Sequence, residues 1–353
     1  MSRWRSSTSA SGRPTGTRSS PKWSAATWPT WSDPGPTPRT HPPTPRRRET
    51  SAMQFDGILF FPITPFDDKG ALDEEALDRH IRDGMVHGPG GVFAACGTGE
   101  FHALGSEEHA RVTARAVEAV GGRVPVVAGA GGSVRTAAEQ AAAASDLGAD
   151  AVLLLPPYLV GASQRGLVEY VRAVAGAASV PVIAYQRANM VLTPEAAAEV
   201  AQIPGVEGIK DGVGDLGGMR RIVQAVRAVR GDGFAFFNGL PTAELTFAPY
   251  KAVGVPLYSS AAFAFAPEVA TAFYRAAHAG EPLADRLLAE FYEPLVALRD
   301  RAPGYAVAMV KAGVRLRGGR AGAVRPPLTD LTREEEAVLA DIIDVGLRAV
   351  EGE

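Results

Sequence analysis

From residue 53 onward, short apolar runs alternate with longer stretches that are apolar at every third or fourth position. The runs lie at 57–63, 91–95, 124–128, 151–155, 180–185, 206–210, 234–237 and 254–258. They are continuous rather than alternating, as in strands covered on both faces. Between them, 73–86, 106–120, 133–147, 164–175, 193–201 and 216–229 carry helical spacing. Strand, helix, strand, repeated about eight times, predicts an α/β fold, a closed parallel (β/α)8 or TIM barrel. An open, doubly wound sheet is the runner-up, because periodicity alone does not show closure.

Helix punctuation agrees. Thr193-Pro194-Glu195 reads as an N-cap followed by proline at the first helical position, and Ser106-Glu107-Glu108 puts acids into a first turn. The strand rhythm then stops. Segments 268–278, 282–301, 305–316 and 333–350 read as successive helices, so a C-terminal helical extension over 267–353 is expected on a barrel of 53–266. Residues 1–52 are rich in Ser, Thr, Pro and Arg and show no period, which predicts a disordered leader. Its composition resembles a transit peptide. Pro34-Gly35-Pro36 and Pro42-Pro43 are poor material for an amphipathic helix, and the favoured reading is translation from Met53.

Composition narrows the classes of function. With 46% hydrophobic residues, 21% charged residues and net charge -3, the chain reads as a soluble globular protein. Nothing in that balance favours nucleic acid or an anionic membrane as a partner. No apolar run approaches the roughly 18 residues that cross a bilayer. The single cysteine, Cys96, excludes an internal disulfide and fits a reducing cytoplasm. Six histidines without ligand spacing, no cysteine cluster and no carboxylate–histidine grouping leave no metal expected. Gly129-Ala130-Gly131-Gly132 lacks the full spacing of a dinucleotide loop.

In a (β/α)8 barrel, chemistry sits at the carboxyl ends of the strands. Those ends carry Gly97-Thr98-Gly99-Glu100, then Tyr185, Lys210, Asn238-Gly239 and Ser259-Ser260. Lys210 is one of only five lysines among 36 basic residues. Arginine cannot form an imine, whereas a buried lysine can lose its proton and attack a carbonyl. A strand-end lysine is ordinarily a solvated one and a strand-end tyrosine ordinarily packs. Neighbouring strands are about 4.8 Å apart, however, so Tyr185 and Lys210 are expected side by side at the rim. The turn at Gly97-Thr98-Gly99 offers a hydroxyl and backbone N–H groups suited to a carboxylate, though a tight turn needs such residues in any case.

These residues carry a family resemblance. Pro62-Ile63-Thr64-Pro65-Phe66, Gly97-Thr98-Gly99-Glu100, Tyr185 and Gly208-Ile209-Lys210-Asp211 resemble the dihydrodipicolinate synthase/N-acetylneuraminate lyase family of imine-forming barrels. The resemblance covers the chain from Met53. Tyr185-Gln186-Arg187-Ala188-Asn189 and the run Lys210 to Asp215 are similar to a dehydratase branch of that family. The resemblance implies Lys210 as imine-forming nucleophile and Tyr185 as proton shuttle. It implies that Thr98, with Gly97 and the adjoining backbone, holds the carboxylate beside the keto group. Asn238, Ser259 and Ser260 would meet substrate hydroxyls, and Arg187 the distal carboxylate. The implied substrate is a six-carbon sugar diacid with a 2-oxo group and a 3-deoxy carbon, dehydrated and decarboxylated without a cofactor. An aldolase acting through the same imine, or a catalytically dead barrel acting as a ligand sensor, are the alternatives. The resemblance also implies a homo-oligomer. Gly97 and Leu159 depart from the synthases, which often place a threonine and a second tyrosine there. No proton relay across a subunit interface is therefore carried over.

Overall fold

The computed structural model describes residues 55–351. The leader expected over 1–52 lies outside the described residues. Eight parallel strands close into a barrel in sequence order, and the last pairs with the first. They are β1 (Leu59–Phe60), β2 (Gly91–Ala94), β3 (Val126–Gly132), β4 (Ala151–Pro157), β5 (Val182–Gln186), β6 (Val206–Asp211), β7 (Ala235–Asn238) and β8 (Leu257–Ser260). Closure decides against the open sheet.

Within each continuous apolar run, alternate residues serve two cores. Leu59, Phe61, Phe93, Val127, Leu153, Ile183, Tyr185 and Phe237 fill the barrel interior. Ile58, Phe60, Val92, Val152, Ala184 and Ile209 face the surrounding helices. Both faces are therefore apolar, as a parallel sheet under helices requires. The period of two decides which residues reach the mouth.

The helices begin where their caps place them. Thr193 accepts a hydrogen bond from Ala196 N, with Pro194 opening helix Pro194–Ala201. Asp73, Ser133, Ser163 and Asp215 cap four others in the same way. The stretch 282–301, expected as one helix, is divided. Pro282–Leu287 and Glu293–Arg299 flank a wider π turn at Leu288–Tyr292. Pro294 has no N–H to offer Glu290 and crowds that carbonyl, so the chain widens one turn ahead of it. A short helix, Phe247–Ala252, precedes β8 and had no clear periodic signal. The C-terminal helices Tyr305–Leu316 and Arg333–Glu351 share one core with β1 and the first two helices.

Candidate active site

At the carboxyl end of the barrel, a cavity of about 350 Å³ is lined by Gly97, Thr98, Tyr185, Arg187, Lys210 and Ser259 among others. Lys210 and Tyr185 are register partners on β6 and β5. Both are buried, at 5% and 6% exposure. The lysine Nζ stands 4.5 Å from the centre of the Tyr185 ring and 4.3 Å from that of Phe61.

Gly239 makes room for this arrangement, and Gly208 for the Phe237 ring beneath it. A Cβ on Gly208 would meet the Phe237 ring at 3.0 Å, and one on Gly239 would lie 2.5 Å from Lys210 Cε. The rim therefore has space for the Lys210 side chain because Gly239 beside it has none.

Burial lowers the Lys210 amine from an ordinary 10.5 to about 8. The Arg187 charge adds to the lowering. Burial also pushes the Cys96 thiol up to about 12, so it stays protonated and supplies no counter-charge at neutral pH. Its Sγ donates to Ala94 O at 3.4 Å. Tyr185 is raised by burial, with Arg187 opposing. The phenol donates to Gly239 O at 2.8 Å and accepts from Arg187 Nη1 at 3.1 Å. The site thus joins an amine that deprotonates readily to a phenol that keeps its proton.

Asp211, next along β6, points to the helix layer. Its Oδ1 accepts from Gln186 Nε2 at 2.7 Å and Val213 N at 3.1 Å, and its Oδ2 takes the Tyr250 hydroxyl. That web fixes the strand end carrying Lys210.

Two expectations lose their geometric support. The Asn238 amide donates to Thr246 Oγ1 at 2.8 Å and Ala243 O at 3.3 Å, while its Oδ1 accepts from Leu240 N at 3.1 Å. Ser260 donates to Glu244 Oε1 at 2.6 Å and accepts from Phe263 N at 3.2 Å. Both side chains are fully buried, and neither lines the cavity. Parity explains this. Ser259 faces the barrel interior, and its neighbour Ser260 must face outward. Their amide and hydroxyl bond to the neighbouring loops instead. His102 is exposed on the turn after β2.

Three contributors had no signal at the strand ends. Thr242 lines the cavity in a left-handed conformation (φ 52°), and its Oγ1 accepts from Arg299 Nη1 at 2.8 Å. Ala306 and Val307 reach the cavity from helix Tyr305–Leu316, in the C-terminal extension.

The fold and this mouth define a parallel barrel with a buried amine beside a phenol. Residues 54–345 match the Dihydrodipicolinate synthetase family, and the chain belongs to it. A similar relative is the probable 5-dehydro-4-deoxyglucarate dehydratase 1 of Streptomyces coelicolor. It is 53% identical over 84% of this chain and 94% of its own. The probable 5-dehydro-4-deoxyglucarate dehydratase of Variovorax paradoxus is 44% identical over 84% of this chain and 97% of its own. Among solved structures, dihydrodipicolinate synthase from Oceanobacillus iheyensis superposes with a TM-score of 0.74 at 29% identity. That match covers 85% of this chain and 97% of the synthase.

Proposed function

We propose that the protein is a hydro-lyase that dehydrates and decarboxylates 5-dehydro-4-deoxy-D-glucarate to 2,5-dioxopentanoate through an imine on Lys210. The observation that carries this reading is the desolvated Lys210 amine, with its pKa near 8, beside the Tyr185 phenol at the cavity. The names of the Streptomyces and Variovorax relatives support the substrate.

With carbons numbered from the keto end, the Lys210 amine attacks carbon 2, and loss of its oxygen as water gives an iminium. Removal of a proton from carbon 3 yields an enamine, whose electrons expel the hydroxyl of carbon 4 as a second water. Tyr185 moves these protons. The product iminium is conjugated with the new carbon 3–carbon 4 double bond. It accepts the electron pair of the carbon 5–carbon 6 bond when carbon 6 departs as CO₂. Protonation at carbons 3 and 4 turns carbon 5 into an aldehyde, and hydrolysis consumes one water and frees Lys210. The net change is loss of one CO₂ and one water. Thr98 and the backbone of its turn receive the carboxylate beside the ketone, and Ser259 meets a hydroxyl. Arg187 meets the distal carboxylate, since a guanidinium fork matches two oxygens.

Incubation of the purified protein with 5-dehydro-4-deoxyglucarate is expected to release CO₂ and 2,5-dioxopentanoate in equal amounts. Pyruvate in place of CO₂, or no turnover, would overturn the assignment. A homo-oligomer belongs to the same proposal. The exposed apolar tip Tyr158-Leu159-Val160 supports it, and light scattering tests it.

A further inference from the structure

A second lysine is buried more completely than Lys210. Lys311, on helix Tyr305–Leu316, is fully enclosed, and its Nζ lies 2.6 Å from Oε1 of an equally enclosed Glu100. The two groups form a close ion pair inside the protein. The ammonium also donates to Ala323 O at 2.9 Å and lies 4.1 Å from the centre of the Phe66 ring. Oε2 of Glu100 accepts from Arg325 N at 2.9 Å.

Glu100 is left-handed, at φ 55°. A non-glycine residue stays in that region only where its surroundings enforce it. Here the enforcement comes from the C-terminal extension. Glu100 closes the turn that presents Gly97 and Thr98 to the cavity, with its own N–H donating to Gly97 O at 3.1 Å. From the other side, Thr64 Oγ1 donates to Gly99 O at 2.7 Å. The helix bearing Lys311 lines the same cavity through Ala306 and Val307.

We propose that Lys311 is a positioning residue for carboxylate recognition. Through Glu100, it fixes the Gly97–Thr98 turn in the conformation that receives the carboxylate beside the reacting ketone. This rests on the role proposed above for Thr98. It gives the C-terminal extension a part in substrate choice beyond covering the barrel.

The test separates the carboxylate from the carbonyl. Borohydride trapping on Lys210 is measured against concentration for pyruvate and for hydroxyacetone, a ketone of similar size without a carboxylate. The parent is compared with the paired Glu100→Gln/Lys311→Met variant, which removes both charges at similar volume. The half-saturating pyruvate concentration is expected to rise about tenfold or more, as for a lost hydrogen bond to a charged group. That for hydroxyacetone is expected not to change. Equal shifts for both ligands, or none for either, would overturn the proposal. Should the paired variant fail to fold, Glu100→Gln alone is expected to show the same selective loss, and an unaltered ratio overturns it. If the parent forms no adduct, the imine chemistry itself is wrong. Calorimetric binding of pyruvate then still reads the turn: weakening by the paired substitution supports the proposal, and unchanged affinity overturns it.

Discussion

Tyr185 and Lys210 face each other across the register of β5 and β6, and the lysine amine is sandwiched between the Tyr185 and Phe61 rings. A ring face attracts an ammonium by about 0.5–2 kcal/mol. Losing water works the other way and is the larger effect, since burial brings the amine down to about 8. About a tenth of the molecules then carry a free amine at pH 7. The rate of imine trapping, and kcat/KM, are expected to rise roughly tenfold per pH unit below 8 and to level off above it. A profile flat between pH 6 and 9 would contradict a lysine nucleophile of this kind. Lys210→Ala is expected to abolish both signals.

The same burial implies a stability cost. The folded amine titrates near 8, below the ordinary 10.5, so the unfolded chain binds more protons between those values. Stability contributed at this position therefore rises with pH across that window and is lowest below it. Lys210→Met keeps the length of the side chain and removes the charge. It is expected to stabilise the fold by on the order of 1–3 kcal/mol at pH 7. Denaturant midpoints at pH 7 and pH 10 measure it, with the smaller gain expected at pH 10.

Tyr185→Phe separates the two roles of the tyrosine. The ring beside Lys210 remains, while the hydroxyl that donates to Gly239 O and accepts from Arg187 is lost. The Lys210 imine should still be trapped by borohydride. Turnover should fall by about 10²–10⁴, the usual contribution of a positioned acid–base group. Loss of trapping and turnover together would assign the phenol to packing instead.

Much of the mouth is legible in the sequence because strand geometry is so regular. A run ending in Lys210, and another ending in Tyr185, must bring two side chains of the same parity together once the strands pair. Parity also explains the failures at Asn238 and Ser260. Being at a strand end did not say which face a side chain takes, and these two face the loop and helix layer. Thr242, Ala306 and Lys311 could not be found this way. Thr242 lies in the loop after β7, and Ala306 and Lys311 in the extension that folds back against the barrel, arrangements that no local period encodes.

Gly239→Ala tests the closeness of that packing. A Cβ there would lie 2.5 Å from Lys210 Cε and 2.9 Å from Tyr185 Cε2. Tyr185 cannot retreat far, because its hydroxyl is tied to the carbonyl of Gly239 itself, so Lys210 must shift. The added methyl is expected to lower kcat by about 10²-fold by displacing the amine, a penalty typical of misplacement near 1 Å. Single-turnover trapping with borohydride should slow in parallel. A variant with normal trapping would show that the mouth is softer than its packing implies.

Glu244 lies behind the mouth, on the turn between β7 and β8, and is nearly fully buried. Its Oε1 accepts from Ser260 Oγ, while its Oε2 is without a partner. The hydroxyls of Tyr258 and Tyr292 are likewise buried and unpartnered, and both feel the Glu244 charge. Burial raises the carboxyl from 4.5 to about 7. The folded state therefore holds a proton that the unfolded chain has already released. The stability this proton contributes is complete below pH 4.5 and is lost as pH rises through 7. Glu244→Gln keeps an oxygen for Ser260 and cannot ionise. It should be near neutral at pH 5 and stabilising by on the order of 1–3 kcal/mol at pH 8.5. Subtracting parent from variant at each pH cancels the contribution of Lys210. A difference that does not grow between pH 5 and 8.5 would mean that water or a bound ion already satisfies Glu244 in solution.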